Sequence, residues 1–312
     1  MKNILLKLTI GFMVILFFNG CSVPRRPVPT ATEKQDGVID DIYVSENHYY
    51  YFTEAQFYRK KGNLDKAIHY MQKAADKAPE SSYLQKELAL LYLQQKNNLK
   101  ALNIIEQILE TDPGYIPALI IYGRINQSLK HIDDAKKAYE KVIAIDPRQQ
   151  NVYLVLGRIY MEESDLNRAL KIYEQLVKTF PGSYAGHFFI GKIYAKQGKV
   201  LEAEKMLLKT LEIKPDLDEP RFELLKLYKT QGKDEKVLQL YKEILEMNPR
   251  NIATAMELGY YYHQKGMKKD AAKIFKDLGE RSLTDNKVVR TVVQIYLEPK
   301  NTMPPSLSLK GC

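Results

Sequence analysis

Small and large apolar positions recur along this chain with a period of 34 residues. Seven units can be counted, starting at His48, Ser82, Ile116, Gln150, Tyr184, Asp218 and Ile252. Position 8 of the unit reads Ala55, Ala89, Gly123, Gly157, Gly191, Leu225 and Gly259. Position 20 reads Ala67, Ala101, Ala135, Ala169, Ala203, Val237 and Ala271. Position 24 carries Met71, Ile105, Tyr139, Tyr173, Leu207, Tyr241 and Phe275. Two small positions let a pair of helices approach closely, and large residues at helical spacing fill the space beside them.

Proline marks the same period. Pro79, Pro113, Pro147, Pro181, Pro215 and Pro249 all stand at position 32. Proline lacks a backbone N–H and clashes with the preceding turn, so it sits at helix boundaries and not in their interiors. Each interval holds two helices, A then B, and two short turns. Gly62, Gly198, Gly232 and Gly266 recur at position 15, between the helices, where a positive φ costs glycine least. A fixed period of this kind predicts an all-α solenoid of stacked helix pairs.

The pattern resembles the tetratricopeptide repeat: small at 8, Tyr at 11, Ala at 20, aromatic or aliphatic at 24, Pro at 32. Position 11 is Tyr in every unit except the third, which has Asn126. The resemblance covers 48–285 as seven units, and it implies a right-handed α-solenoid. Residues 286–298 then resemble one more A helix, stopped at Pro299, that would cap the stack. Two departures stand out. Leu225 and Val237 occupy both small positions of unit six, which should push its helices apart or shift their register. Asn126 must find a polar partner where the other units have tyrosine.

The front of the chain follows different rules. Leu8 to Phe18 is a short apolar run behind Lys2 and Lys7, too short to span a bilayer and suited to the core of an export signal. Gly20 and Cys21 follow directly. The stretch resembles a bacterial lipoprotein signal, which implies removal of 1–20 and lipid attachment at Cys21. An ordinary signal peptide with a passenger cysteine, or an uncleaved anchor, are the competing readings. Ser22 after the cysteine implies an outer-membrane protein facing the periplasm in an enterobacterial type of envelope. Residues 21–47, with Pro24, Pro27 and Pro29, read as a flexible tether, and 299–312 as a disordered tail.

Composition narrows the function. The formal charge is +9, but no Lys/Arg cluster with a base-reading motif accompanies it, so nucleic acid is not an expected partner. With Cys21 acylated, Cys312 has no partner, and no structural disulfide is expected. The five histidines stand at different repeat positions with no second ligand at metal spacing. No nucleophile elbow or phosphate loop is present, so neither an enzyme, nor a metal site, nor a cofactor is expected.

In the family this chain resembles, A helices line a groove through positions 2, 5, 9, 12 and 13. By position, that implies a partner-binding stripe of Phe52, Ile120, Leu154, Phe188, Phe222 and Met256, with Lys86 among them. Beside it stands a basic ladder of Arg124, Arg158, Lys192 and Lys226, flanked by Arg59 and Tyr260. A Lys/Arg-rich chain also places some basic residues there by composition alone. The lysine, asparagine and arginine set with which some family members grip a chaperone's carboxylate end matches only at Lys86. The expected function is a non-catalytic, membrane-anchored scaffold holding an extended or helical protein segment, with basic groups steering acidic ones. Secretion, pilus assembly and exopolysaccharide export are the settings the resemblance implies. The alternative is a module that binds or exports an anionic polysaccharide.

Overall fold

The computed structural model describes residues 47–281, with side chains to Leu278. The signal, the tether up to residue 46, the 286–298 cap and the tail lie outside the described residues. What is described is all helix and turn. Seven pairs follow one another: α1 (His48–Lys60) and α2 (Leu64–Lys77); α3 (Ser82–Gln94) and α4 (Asn98–Thr111); α5 (Ile116–Ser128) and α6 (Ile132–Ile145); α7 (Gln150–Glu162) and α8 (Leu166–Thr179); α9 (Tyr184–Lys196) and α10 (Val200–Ile213); α11 (Asp218–Thr230) and α12 (Asp234–Met247); α13 (Ile252–Gln264) and α14 (Lys268–Arg281). Each helix packs against the one before and the one after it.

The close contact within a unit is steric. At position 20, Ala67, Ala101, Ala135, Ala169 and Ala203 are fully buried. At position 8, a Cβ added to Gly157 would lie 2.5 Å from Tyr173 Cζ, and one added to Gly123 2.6 Å from Tyr139 Cε1. The B-helix ring at position 24 therefore lies flat over the A helix, where only hydrogen leaves room. Stacking then joins the units into one column. Four apolar clusters run along the chain, linked by Tyr92, Leu109 and Tyr194, each of which packs against two of them.

Unit six resolves the choice left open by its sequence. Leu225 and Val237 are both buried. The α11 and α12 backbones approach each other less closely than in any other unit. Helix lengths and starts keep the common register. The bulk is absorbed by separation and not by slippage. Asn126 also finds its partners: its side-chain amide donates to the Tyr122 carbonyl at 3.0 Å, and its Oδ1 lies 3.3 Å from His131 Nδ1.

The A-to-B turn uses a left-handed residue at position 15 in every unit. Gly62, Gly198, Gly232 and Gly266 have φ between +65° and +74°. Units two, three and four adopt the same geometry with Lys96, Lys130 and Ser164, at φ +65°, +68° and +63°. The backbone bonds around the turn recur as well; Asn97 N donates to Tyr92 O at 2.8 Å, as Asn63 N does to Tyr58 O at 3.0 Å. A side chain in this region costs about 1 kcal/mol relative to glycine. Lys96→Gly, Lys130→Gly and Ser164→Gly should each raise stability by about 0.5–1 kcal/mol, read as a higher urea midpoint at constant slope. Gly157→Ala should lower it by about 1–3 kcal/mol through the clash with Tyr173.

Candidate functional site

The A helices of successive units share one face, because their side chains touch across unit boundaries. Phe52 of α1 lies 6.0 Å from Tyr83 of α3, ring centre to ring centre. Arg59 of α1 meets Glu87 of α3 at 3.4 Å. Lys192 of α9 reaches Glu223 of α11 at 3.9 Å, and Lys229 of α11 reaches Glu257 of α13 at 3.5 Å. Residues at positions 2, 5, 6, 9 and 12 are thus brought together along the stack.

On this face Phe52, Ile120, Leu154, Phe188 and Phe222 are half-buried. An amphipathic A helix must bury its other face against its B helix, and these residues are what remains on the open side. Met256 and Tyr260 are buried in the core of the last described unit. Lys86 and Arg59 are half-buried beside Glu87, which lies 2.8 Å from Lys86. At the start of the face, Tyr49 and Tyr83 are 70% and 50% exposed, with Lys86 Nζ 4.4 Å above the Tyr83 ring.

The basic ladder is not uniform. Lys192 and Lys226 both face Glu223, Lys226 at 3.3 Å. Arg158 has only an exposed contact with Glu162 on its own helix, at 3.8 Å. Arg124 makes no ion pair among the described residues. The pattern follows position 6, which the repeat signature does not include. It is Glu in units two, six and seven (Glu87, Glu223, Glu257), and Ile121, Val155 and Phe189 in units three, four and five. Glu87 and Glu257 are buried, and each is matched by a cation from the preceding A helix, as a buried carboxylate requires.

Buried tyrosines at position 24 of the B helices lie beneath this face; in units three and four they pass over the glycine at position 8. Tyr241 donates its hydroxyl to Glu257 at 2.9 Å. Tyr139 donates to the Gln127 side-chain oxygen at 3.2 Å. Burial pushes the Tyr139 hydroxyl up to about 12, against the opposing pull of Arg124 and Arg158. Tyr173 is fully buried, stacked on Phe189 at 4.9 Å, and its hydroxyl has no hydrogen-bond partner among the described residues. Burial raises its pKa, with Arg158 lowering it and Glu162 raising it.

Neither the position-6 glutamates nor the position-24 hydroxyls entered the sequence-based site. The position-6 signal was present as a further column of the same register, but its chemistry depends on contacts between units. No cluster of three or more His, Cys, Asp or Glu among the described residues could hold a metal ion. No described helix is long and apolar enough to cross a membrane.

Comparison with known proteins places this architecture. Tetratricopeptide repeat models match residues 58–119 and 160–227, and a second such model matches 116–149, together about half of the chain. The chain belongs to the tetratricopeptide repeat family. The C-terminal part of a TPR repeat-containing protein from Cytophaga hutchinsonii superposes with a TM-score of 0.65 at 18% identity, over 77% of this chain and 98% of that one. A tetratricopeptide repeat protein from Parabacteroides merdae gives 0.52 at 15% identity, over 80% and 99%. YrrB, described as a TPR protein with an unusual peptide-binding site, gives 0.50 at 18%, over 59% and 95%. BBSome complex member BBS4 of Bos taurus is 30% identical over 106 residues, which is 34% of this chain. That alignment spans only 20% of the relative's own length.

The two hydroxyls allow a direct comparison. Tyr241→Phe leaves the buried Glu257 with Lys229 as its remaining donor, at 3.5 Å, and should cost about 1–2 kcal/mol. Tyr173→Phe removes an unpartnered hydroxyl and should leave stability within about 0.5 kcal/mol of the parent, or raise it. Chemical denaturation of both variants checks the contrast.

Proposed function

We propose that this protein is a lipid-anchored scaffold of the bacterial cell envelope. Cys21 holds it in the outer membrane on the periplasmic side, and its A-helix face holds a segment of a partner protein. The observation that carries the binding half is the run of half-buried Ile120, Leu154, Phe188 and Phe222 in consecutive A helices. Apolar residues kept in register on an open face are a liability unless something covers them. The extended or helical segment of a partner fits such a strip, with side chains seated between successive helices. Basic groups along the strip steer acidic segments toward it.

The anchoring half rests on the sequence. The apolar run from Leu8 to Phe18, followed by Gly20 and Cys21, has the form of a lipoprotein signal. Several acyl chains on one cysteine give firm attachment, since each buried CH₂ contributes about 0.8 kcal/mol. The partner would then belong to an envelope assembly for secretion, pilus building or polysaccharide export.

A second reading has one specific support. The exposed Tyr49 and Tyr83, with Lys86 above Tyr83, could stack on the sugar rings of an anionic polysaccharide. Binding of such a polymer that persists at about 0.3 M salt would favour that reading, because surface charge alone is largely screened there.

Cys21→Ser should move the protein from the membrane to the soluble fraction, with loss of the mass added by acylation. Retention on the membrane at unchanged mass overturns the anchor. Changing Arg124, Arg158, Lys192 and Lys226 together to Glu should abolish co-purification of partners from detergent-solubilised envelopes. An unchanged partner set overturns the basic-groove reading.

A further inference from the structure

The column of units is open at its first helix. In units two to seven, positions 3 and 10 of the A helix are buried, and each of these A helices packs on the B helix of the unit before. Gly186, at position 3 of unit five, shows the contact directly. A Cβ added there would lie 2.6 Å from Val177 Cγ1 and 3.2 Å from Leu176 Cδ2, both on α8. At position 10, Leu91, Ile125, Ile159, Ile193, Leu227 and Tyr261 are at most 7% exposed. No helix precedes α1 among the described residues, and its position-10 residue, Phe57, is 47% exposed. An exposed ring at a position that every other unit buries marks a surface suited to being covered.

A preceding B helix brings chemistry as well as bulk. The position-11 tyrosines of units four, five and six donate their hydroxyls to glutamates of the B helix before them. Tyr160 donates to Glu140, Tyr194 to Glu174 at 3.5 Å, and Tyr228 to Glu204 at 2.8 Å. Lys236, at position 19 of unit six, pairs with the same Glu204 at 2.6 Å. Unit one keeps the receiving half of this arrangement, with Tyr58 at position 11 and Lys66 at position 19. Lys66 Nζ lies 5.0 Å from the centre of the Tyr58 ring, and Lys61 Nζ 4.2 Å from that of Phe57. Neither lysine makes an ion pair among the described residues, and the Tyr58 hydroxyl makes no hydrogen bond there.

We propose that the open end of unit one, formed by Phe57, Tyr58, Lys61 and Lys66, binds an amphipathic helix of a partner protein, which extends the column by one helix. The chemistry of that helix is set by the B helices it imitates. Glu140 is followed two and three residues on by Val142 and Ile143, and Glu174 by Leu176 and Val177. The partner helix carries a glutamate for Tyr58 and Lys66, and adjacent apolar residues two and three places later to cover Phe57. Glu54, half-buried one turn before Phe57, sets a carboxylate on the same helix. That disfavours an anionic bilayer as the occupant, whereas a helix can match each side chain in turn. A second copy of the chain would set Lys61 and Lys66 against the same cations. This end surface is separate from the A-helix face along the stack, and the inference holds whether or not that face binds a segment of its own.

The test is selection of a library of amphipathic helices, displayed on a helical scaffold with one face randomised, on the purified full chain, with counter-selection on the Phe57→Asp chain. The expected result is a set of helices sharing a glutamate two or three residues before adjacent apolar residues. Their affinity should fall about tenfold or more with Phe57→Asp, and several-fold with Tyr58→Phe or Lys66→Ala. Tyr58→Phe keeps the ring that stacks on Tyr70 at 5.4 Å, so its effect reports on the hydroxyl alone. Leu201→Asp, at an apolar residue of unit five that is 74% exposed, should change affinity less than about twofold. Equal urea midpoints of the parent, Tyr58→Phe and Lys66→Ala chains ensure that lost binding is lost contact. Selected helices with no shared glutamate, or insensitive to both Tyr58→Phe and Lys66→Ala, overturn the assigned chemistry. Failure to select any helix overturns the site. Binding of phosphatidylglycerol vesicles, or dimerisation in the ultracentrifuge, that is lost with Phe57→Asp while no helix is selected overturns the helix in favour of a lipid surface or a second copy.

Discussion

The contact between positions 8 and 24 governs this molecule. In units three, four and seven a ring from the B helix lies across a glycine on the A helix, and in units one, two and five an apolar side chain takes the ring's place. At Gly123 and Gly157, an added methyl group would fall well inside contact distance of the tyrosine ring. The crossing sets how closely the helices of a unit can lie. It also decides what lies beneath the open face, because the hydroxyls of Tyr139 and Tyr241 bond to A-helix side chains there. Packing and recognition chemistry are consequently tied to the same pair of positions. A change made to improve the core at position 24 would add or remove a hydrogen-bond donor just beneath that face.

Much of the fold was legible because steric rules act on single positions. A small residue at position 20 or a proline at position 32 has nearly the same meaning in every unit, so the period can be read without contacts. The left-handed turn was only half legible. Four glycines announced it, while Lys96, Lys130 and Ser164 adopt the same backbone with no compositional sign. There the neighbouring helices impose the conformation on residues that do not favour it. In unit six the sequence left separation and slippage open. Separation is the outcome because slippage would have turned every apolar position of a helix away from the column.

The candidate site was legible as a list of positions and not as a pattern of charge. The basic residues at position 9 looked like an even ladder. Whether each is neutralised depends on carboxylates one unit away, such as Glu223 for Lys192, a relation set by stacking distance. Position 6 escaped notice because it is not a signature position: it is Thr53 in unit one and varies between Glu and apolar residues in the others, and only its neighbours give that variation meaning. The result is a face that alternates along its length. Its ends carry internally balanced charge, and its middle is positive with a buried phenol unsatisfied.

The loosely closed helix pair of unit six has a mechanical consequence. A stack of units, each bonded only to its neighbours, transmits force from one to the next like links in series. The link with the least interlocking between its two helices yields before the others. In this chain that link is α11 with α12, and the α12–α13 junction beside it is also sparse. Under tension, or when a bound partner pulls on one end, extension would concentrate there. The seventh unit would swing against the units before it.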